Sequence, residues 1–127
     1  VSNNKTDSAE DISRQVLVAA QAAEDSLGSD TDVFFVGEIL GITDWFVVTT
    51  GNNVRQVKAI VEKVEEALTI AEGRKPIRIE GKESAEWILM DYGDFIIHVF
   101  IDEARDYYEL SRLWSDVPRM DIATPSS

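Results

Sequence analysis

The chain has no cysteine, a single histidine, only three prolines, and no apolar run near the ~20 residues that a bilayer crossing requires. Each scarcity removes a class of protein. Without cysteine there is no disulfide framework, no thiolate zinc site and no cysteine nucleophile. With His98 as the only imidazole, nucleophilic chemistry has few parts. The first residues, VSNNKTD, lack the basic-then-apolar layout of a secretory signal, so a cytoplasmic protein without membrane attachment is expected. Basic residues are scarce too: 12 Lys and Arg stand against 24 Asp and Glu, for a net charge of −12. Neutralising phosphates takes clustered Lys and Arg, so little direct nucleic-acid contact is expected. The charge suits either a basic protein partner or solubility alone.

The acidity is uneven. Residues 1–44 carry nine acids against two bases, residues 45–79 four against six, and residues 80–116 ten against three. At 127 residues and 44% hydrophobic, the chain is expected to be one domain, 1–127, with a genuine core. Residues 1–7 and 116–127 are expected to be flexible termini.

Hydrophobic spacing predicts a helix over residues 8–27, with Ile12, Val16, Ala19, Ala20, Ala23 and Leu27 on one face. Ser8 and Asp11 form an N-terminal capping pattern, and Gly28 is placed to end the helix. Residues 32–40 and 45–50 read as two strands around a turn at 41–44, an antiparallel pair. Asn52 and Asn53 can cap a second helix whose apolar face runs Val57, Ile60, Val61, Val64, Leu68 and Ala71, stopped by Gly73. Residues 76–81, 87–92 and 95–101 read as three further strands, the first joined through a crossover. Asp102 opens a last helix to about residue 114. The expected fold is α/β (α+β): a five-stranded mixed sheet flanked by about three helices, in the order α-β-β-α-β-β-β-α.

Gly93-Asp94 fits a two-residue hairpin turn with glycine first. That fixes a register: Tyr92 opposite Phe95, Asp91 opposite Ile96, Leu89 opposite His98, Trp87 opposite Phe100. One face then carries Ile88, Met90, Tyr92, Phe95, Ile97 and Val99 and belongs against a helix. The other carries Trp87, Leu89, Asp91, Ile96, His98 and Phe100. His98 lies diagonal to Asp91 and Trp87. It is either part of a recognition patch or acid–base site, or a histidine satisfied by Asp91 under a covering helix.

The catalytic readings lack their constellations. Metal-assisted nucleotidyl transfer places two carboxylates at period two on one strand. Here Asp91 and Asp94 are three apart and split by the turn. Residues 49–53 form a small polar turn at a helix start, but no Lys stands in phosphate-loop position, and a helix cap accounts for the Asn residues. Ser84 and Ser111 do not sit in a nucleophile elbow. In the last helix, Tyr107, Leu110 and Trp114 recur as a core-facing stripe, leaving Tyr108 and Glu109 offset toward solvent.

The fragments Ile42-Thr43-Asp44, Thr50-Gly51, Glu80-Gly81, Ser84-Ala85-Glu86-Trp87, Asp91-Tyr92-Gly93-Asp94, His98-Val99-Phe100 and the helix 107–114 follow one another in a specific order and spacing. Over residues 12–115 the chain resembles the Iojap family of ribosomal silencing factors. Ser111 stands where the family often has Glu, and Tyr92 where it often has Leu. The resemblance implies an α/β fold of nucleotidyltransferase-like architecture without catalysis or cofactor. It further implies binding to large-subunit ribosomal protein fourteen, blocking subunit joining and lowering translation when nutrients are scarce. Trp87, Asp91, Gly93, Asp94, His98, Phe100 and Tyr108 are the expected partner-binding residues. A nucleotide-binding or nucleotidyltransferase-type enzyme is the alternative. A homodimer is also expected, because the Leu89, Ile96 and Phe100 face lacks an obvious helix and a terminal hairpin would leave a bare edge.

Overall fold

The structure, a computed structural model, describes residues 8–108 and 116–122, with side chains described through Arg105 and again from Asp116. Helix α1 (Ala9–Asp25) starts at a reciprocal cap: the Asp11 N–H donates to Ser8 Oγ, and the Ser8 N–H donates to the Asp11 carboxylate. Gly28 does not supply the left-handed residue that ends it; Leu27 does, with φ 69°. Gly28 is needed instead for close approach, since a Cβ there would stand 2.5 Å from Thr49 Oγ1. Helix α3 (Val54–Glu72) is capped by Asn53 and stopped by left-handed Gly73, as its sequence predicts.

Five strands form one mixed sheet: β1 (Ser29–Phe35), β2 (Trp45–Gly51), β3 (Arg78–Glu80), β4 (Trp87–Asp91) and β5 (Phe95–Ile101). Their spatial order is β1-β2-β5-β4-β3, with β2 and β5 parallel and the other pairs antiparallel. The β4–β5 register is the one the turn predicts, from Asp91 opposite Ile96 to Trp87 opposite Phe100. The hairpin is not at an edge, however. β5 is central, and β3 covers the far side of β4. The edge strand β3 is three residues long and carries Arg78 and Glu80, features that discourage pairing with another chain.

Residues 32–40 do not form one strand. β1 stops at Phe35, opposite the first residue of β2; one further contact, from the Val36 N–H to Asp44 O at 2.8 Å, closes the pairing, and past it the Leu40 and Gly41 N–H groups donate to Val36 O and Gly37 O. The chain turns instead into a short helix, α2 (Gly37–Leu40), closed by left-handed Gly41 with φ 75°. Residues 116–122, read from sequence as part of a loose terminus, lie along the outer edge of β1. The Phe35 N–H donates to Pro118 O at 2.8 Å, and the Met120 N–H donates to Val33 O at 2.9 Å.

The two faces of the sheet bury different things. Against α1 and α3 lie Val33, Val47, Ile88, Met90, Tyr92, Phe95, Ile97 and Val99. On the other face Phe34, Phe46, Val48 and Phe100 form a second cluster, met by Leu40 of α2, by Ala104 of α4 (Asp102–Tyr108) and by Val117. Among the described residues no helix is long and apolar enough to cross a membrane.

Candidate functional site

The candidate site grows from the β4–β5 hairpin. Gly93 takes φ 88°, which a side chain would resist, and the Tyr92 N–H donates to Phe95 O across the two-residue turn. Asp91 Oδ1 accepts from the Gly93 N–H at 2.8 Å and so braces the turn from within. Arg78 lies 3.6 Å from the same carboxylate. Asp94 is held twice: Arg74 approaches its carboxylate at 3.4 Å, and its carbonyl accepts from the Asp44 N–H at 2.9 Å. Arg74 also donates to Tyr92 O and to Gln15, and lies over the Phe95 ring. The acidic turn is therefore a fixed object with partly exposed carboxylates.

At the other end of β4, Trp87 is half-buried and stacks on Phe100 at 4.9 Å. Its Nε1–H donates to His98 Nδ1 at 3.0 Å. His98 is therefore neutral, with its proton on Nε2, and it is satisfied by Trp87, not by Asp91 as its diagonal position suggested. Its ring is 5% exposed and meets Phe46 edge-on at 4.6 Å. Burial alone pushes its pKa down to about 4. Among the described residues the buried Nε2 has no hydrogen-bond partner.

The predicted residues thus separate into two groups. Trp87, His98 and Phe100 form one aromatic stack. Asp91, Gly93 and Asp94 form one turn, about 13 Å away along the strand by the usual rise per residue. His98 and Phe100 lie beneath the surface, packed against Trp87. The Tyr108 side chain, and the stripe of Tyr107, Leu110 and Trp114, lie outside the described side chains. Leu89 and Ile96, half-buried on the same face, complete the strip between the two groups.

The arginines that organise the site leave no mark in the sequence pattern. Arg74 fixes the turn from the end of α3. Arg105 of α4 donates to Thr50 Oγ1, Asp30 O and the Asp32 carboxylate, and Arg119 reaches the same carboxylate. No local signal marks such pairs, whose partners lie tens of residues away. The polar turn before α3 is used internally: Asn53 accepts from the Gln56 N–H, Gln56 accepts from the Asn52 N–H, and Thr50 accepts from Arg105. Among the described residues no group of three or more His, Cys, Asp or Glu could hold a metal ion.

A fold with two faces, one closed by helices and one carrying a braced acidic turn and a supported tryptophan, describes a binding module. Comparison with known proteins assigns it. A family model described as "Ribosomal silencing factor during starvation" (RsfS) matches residues 8–127, and the chain belongs to that family, one of silencing factors and not of enzymes. It is 33% identical over 105 residues to the ribosomal silencing factor RsfS of Bacillus subtilis, covering 83% of this chain and 88% of the relative. It is 37% identical over 97 residues to the factor of the same name from Chromobacterium violaceum, covering 76% and 79%. A crystal structure of a Chromobacterium violaceum protein superposes with a TM-score of 0.77 at 34% identity, covering 91% of this chain and 98% of that one.

Proposed function

We propose that this chain silences the large ribosomal subunit by occupying a basic protein on its surface, large-subunit ribosomal protein fourteen, so that the small subunit cannot join. The step needs no chemistry: two bodies cannot share one surface, and occupancy sets the fraction of subunits withdrawn from translation. The observation that carries the reading is Trp87, held partly exposed by its bond to His98 and its stack on Phe100, on the same face as an acidic turn. A supported aromatic beside rim charge is the pattern of an interface anchor. The relatives' names, the net charge of −12 and the ten acids in residues 80–116 agree with a basic ribosomal partner in the cytoplasm. The nucleotidyltransferase-like architecture belongs to this reading as shape without activity.

Cosedimentation with purified large subunits, with and without small subunits, tests it. Wild-type protein is expected to pellet with large subunits and to lower the yield of joined ribosomes. A folded Trp87→Ala, Asp94→Lys double variant that still binds as wild type would remove the site. Turnover of a nucleoside triphosphate, lost on changing Asp91 or Asp94 to Ala, would replace the reading with an enzymatic one. The strip of Leu89 and Ile96 also suits a second copy of the chain, in which case dimerisation and ribosome binding compete. Sedimentation equilibrium of wild type and Leu89→Glu measures that; Phe100, being buried, is unsuited to the same test.

A further inference from the structure

The sheet end where the hairpin turns presents three isoleucines to solvent: Ile39, Ile42 and Ile77, at 60%, 80% and 66% exposure. Six large apolar side chains are exposed among the described residues, and half of them stand at this one end. Scattered singly, such residues need no explanation. Their placement here is not scattered. Ile39 lies in α2, and Ile42 follows left-handed Gly41. The Asp44 N–H donates to the carbonyl of Asp94, which ties the α2 corner to the hairpin turn. The Ile77 N–H donates to Asp91 O at 2.7 Å, and a Cβ on Gly93 would stand 3.3 Å from Ile77 Cδ1. The α2 corner, the hairpin turn and the approach to β3 therefore form one hydrogen-bonded row. It crosses three strand spacings, about 14 Å.

Carboxylates are interleaved with the aliphatics. Glu38 and Asp44 are exposed, and Asp91 and Asp94 are half-exposed. Arg78 and Arg74 already face Asp91 and Asp94. Of the three large side chains in 39–42, only Leu40 packs against the second core cluster, while Ile39 and Ile42 go to water. A turn needed merely to bring the chain back could be polar.

We propose that Ile39, Ile42, Asp44 and Ile77 extend the docking surface, so that it bends from the Trp87 face over the hairpin turn and onto the end of the sheet. The occupant is the basic ribosomal protein of the proposed function, and the inference rests on that reading. The aliphatic row supplies burial, and the carboxylates select Lys- and Arg-rich surroundings.

The test is the affinity of purified large subunits for Ile39→Ser/Ile42→Ser, with Leu27→Ser/Val54→Ser as a matched pair at the opposite end of the sheet. The first pair is expected to weaken binding by about tenfold or more, and the second to leave it unchanged. Thermal unfolding should be close to wild type in both, because all four side chains are exposed. Ile77→Ser, on a separate element, repeats the measurement should residues 37–42 rearrange. An Ile39→Ser/Ile42→Ser protein that binds like wild type, while Trp87→Ala does not, overturns this inference and leaves the proposed function standing. A wild-type protein that does not bind large subunits overturns both.

Discussion

The two faces of the sheet are closed by different means. Toward α1 and α3 the contacts are mostly aliphatic, Val16, Ala20, Ile60, Val64 and Leu68 against Ile88, Ile97 and Val99, with one ring stack, Tyr92 on Phe95, at the hairpin end. Two caps, the exposed Arg14–Glu72 pair and Arg74, which bonds Gln15 and Tyr92 O, are the main polar additions there. On the opposite face the closure is aromatic and polar. Trp87 is bonded to His98, Phe100 underlies both, and Arg105 clasps α4 to β1 and β2 through buried or half-buried oxygens. Dispersion on the first face is forgiving of direction, whereas hydrogen bonds and ring stacks on the second fix orientation. The first face makes the domain stable. The second makes one side chain, Trp87, stand in one place.

The largest expected effect separates those roles. Ile60→Ala and Phe100→Ala each remove a fully buried side chain, and each should cost roughly 3–4 kcal/mol of stability. Affinity for large subunits should then diverge. Ile60→Ala, measured on folded protein, should bind like wild type. Phe100→Ala takes the stacking base from under Trp87 and should bind more weakly. Denaturant melts paired with cosedimentation check this. Equal loss of affinity in both would mean that the faces do not divide the work.

Much of the first face was legible in the sequence, and much of the second was not. The helices at 9–25 and 54–72 announce themselves by period and by Ser8, Asn53 and Gly73 at their ends. The hairpin register follows from a two-residue turn and strict alternation, both local signals. The position of β5 at the centre of the sheet is set by pairing between distant segments, which alternation does not encode. The helical turn at 37–40 is hidden by β-rich composition and decided by where β2 begins. The partner of His98 could not be chosen by position, since Trp87 and Asp91 are equally diagonal to it. In the structure Asp91 faces the Gly93 N–H and Arg78, and it is Trp87 that donates to His98. Arg74 and Arg105 act over long sequence separations and leave no periodic trace.

The second effect comes from acid. Folding holds the His98 pKa at about 4, against an ordinary 6.5. The unfolded chain therefore binds the proton first. Nothing is lost above about pH 7, where both states are neutral. As pH falls from 6.5 toward 4, stability should drop by about 3 kcal/mol from this group, then level off below its folded pKa. Protonation would also place an N–H on Nδ1 against the Trp87 Nε1–H, breaking the bond that orients the indole. The measurement is the difference in melting temperature between wild type and His98→Phe across this window. A difference independent of pH would show that His98 does not titrate in this way.

Trp87→Ala should come third, weakening large-subunit binding by ~2 kcal/mol, about thirtyfold, through loss of the anchor. Trp87→Phe keeps part of the apolar area but no donor for His98. If it binds like wild type, contact area matters and the Trp87–His98 bond does not.

The smallest effect expected is electrostatic. Asp94 is half-exposed and already faces Arg74, so its charge is partly neutralised and well solvated. Asp94→Lys places a cation beside Arg74 and should weaken binding by about threefold at low salt, mostly through a slower association rate. Raising the salt should shrink the difference between variant and wild type, because exposed charges are screened over about 8 Å at physiological ionic strength. Wild-type affinity should itself fall with salt and then level off, since burial of the Trp87 side chain is insensitive to screening. Association rates at several ionic strengths, for wild type and Asp94→Lys together, resolve the two contributions. A wild-type affinity constant from low to high salt would assign the acidity of residues 80–116 to solubility alone, leaving the aromatic anchor to carry recognition.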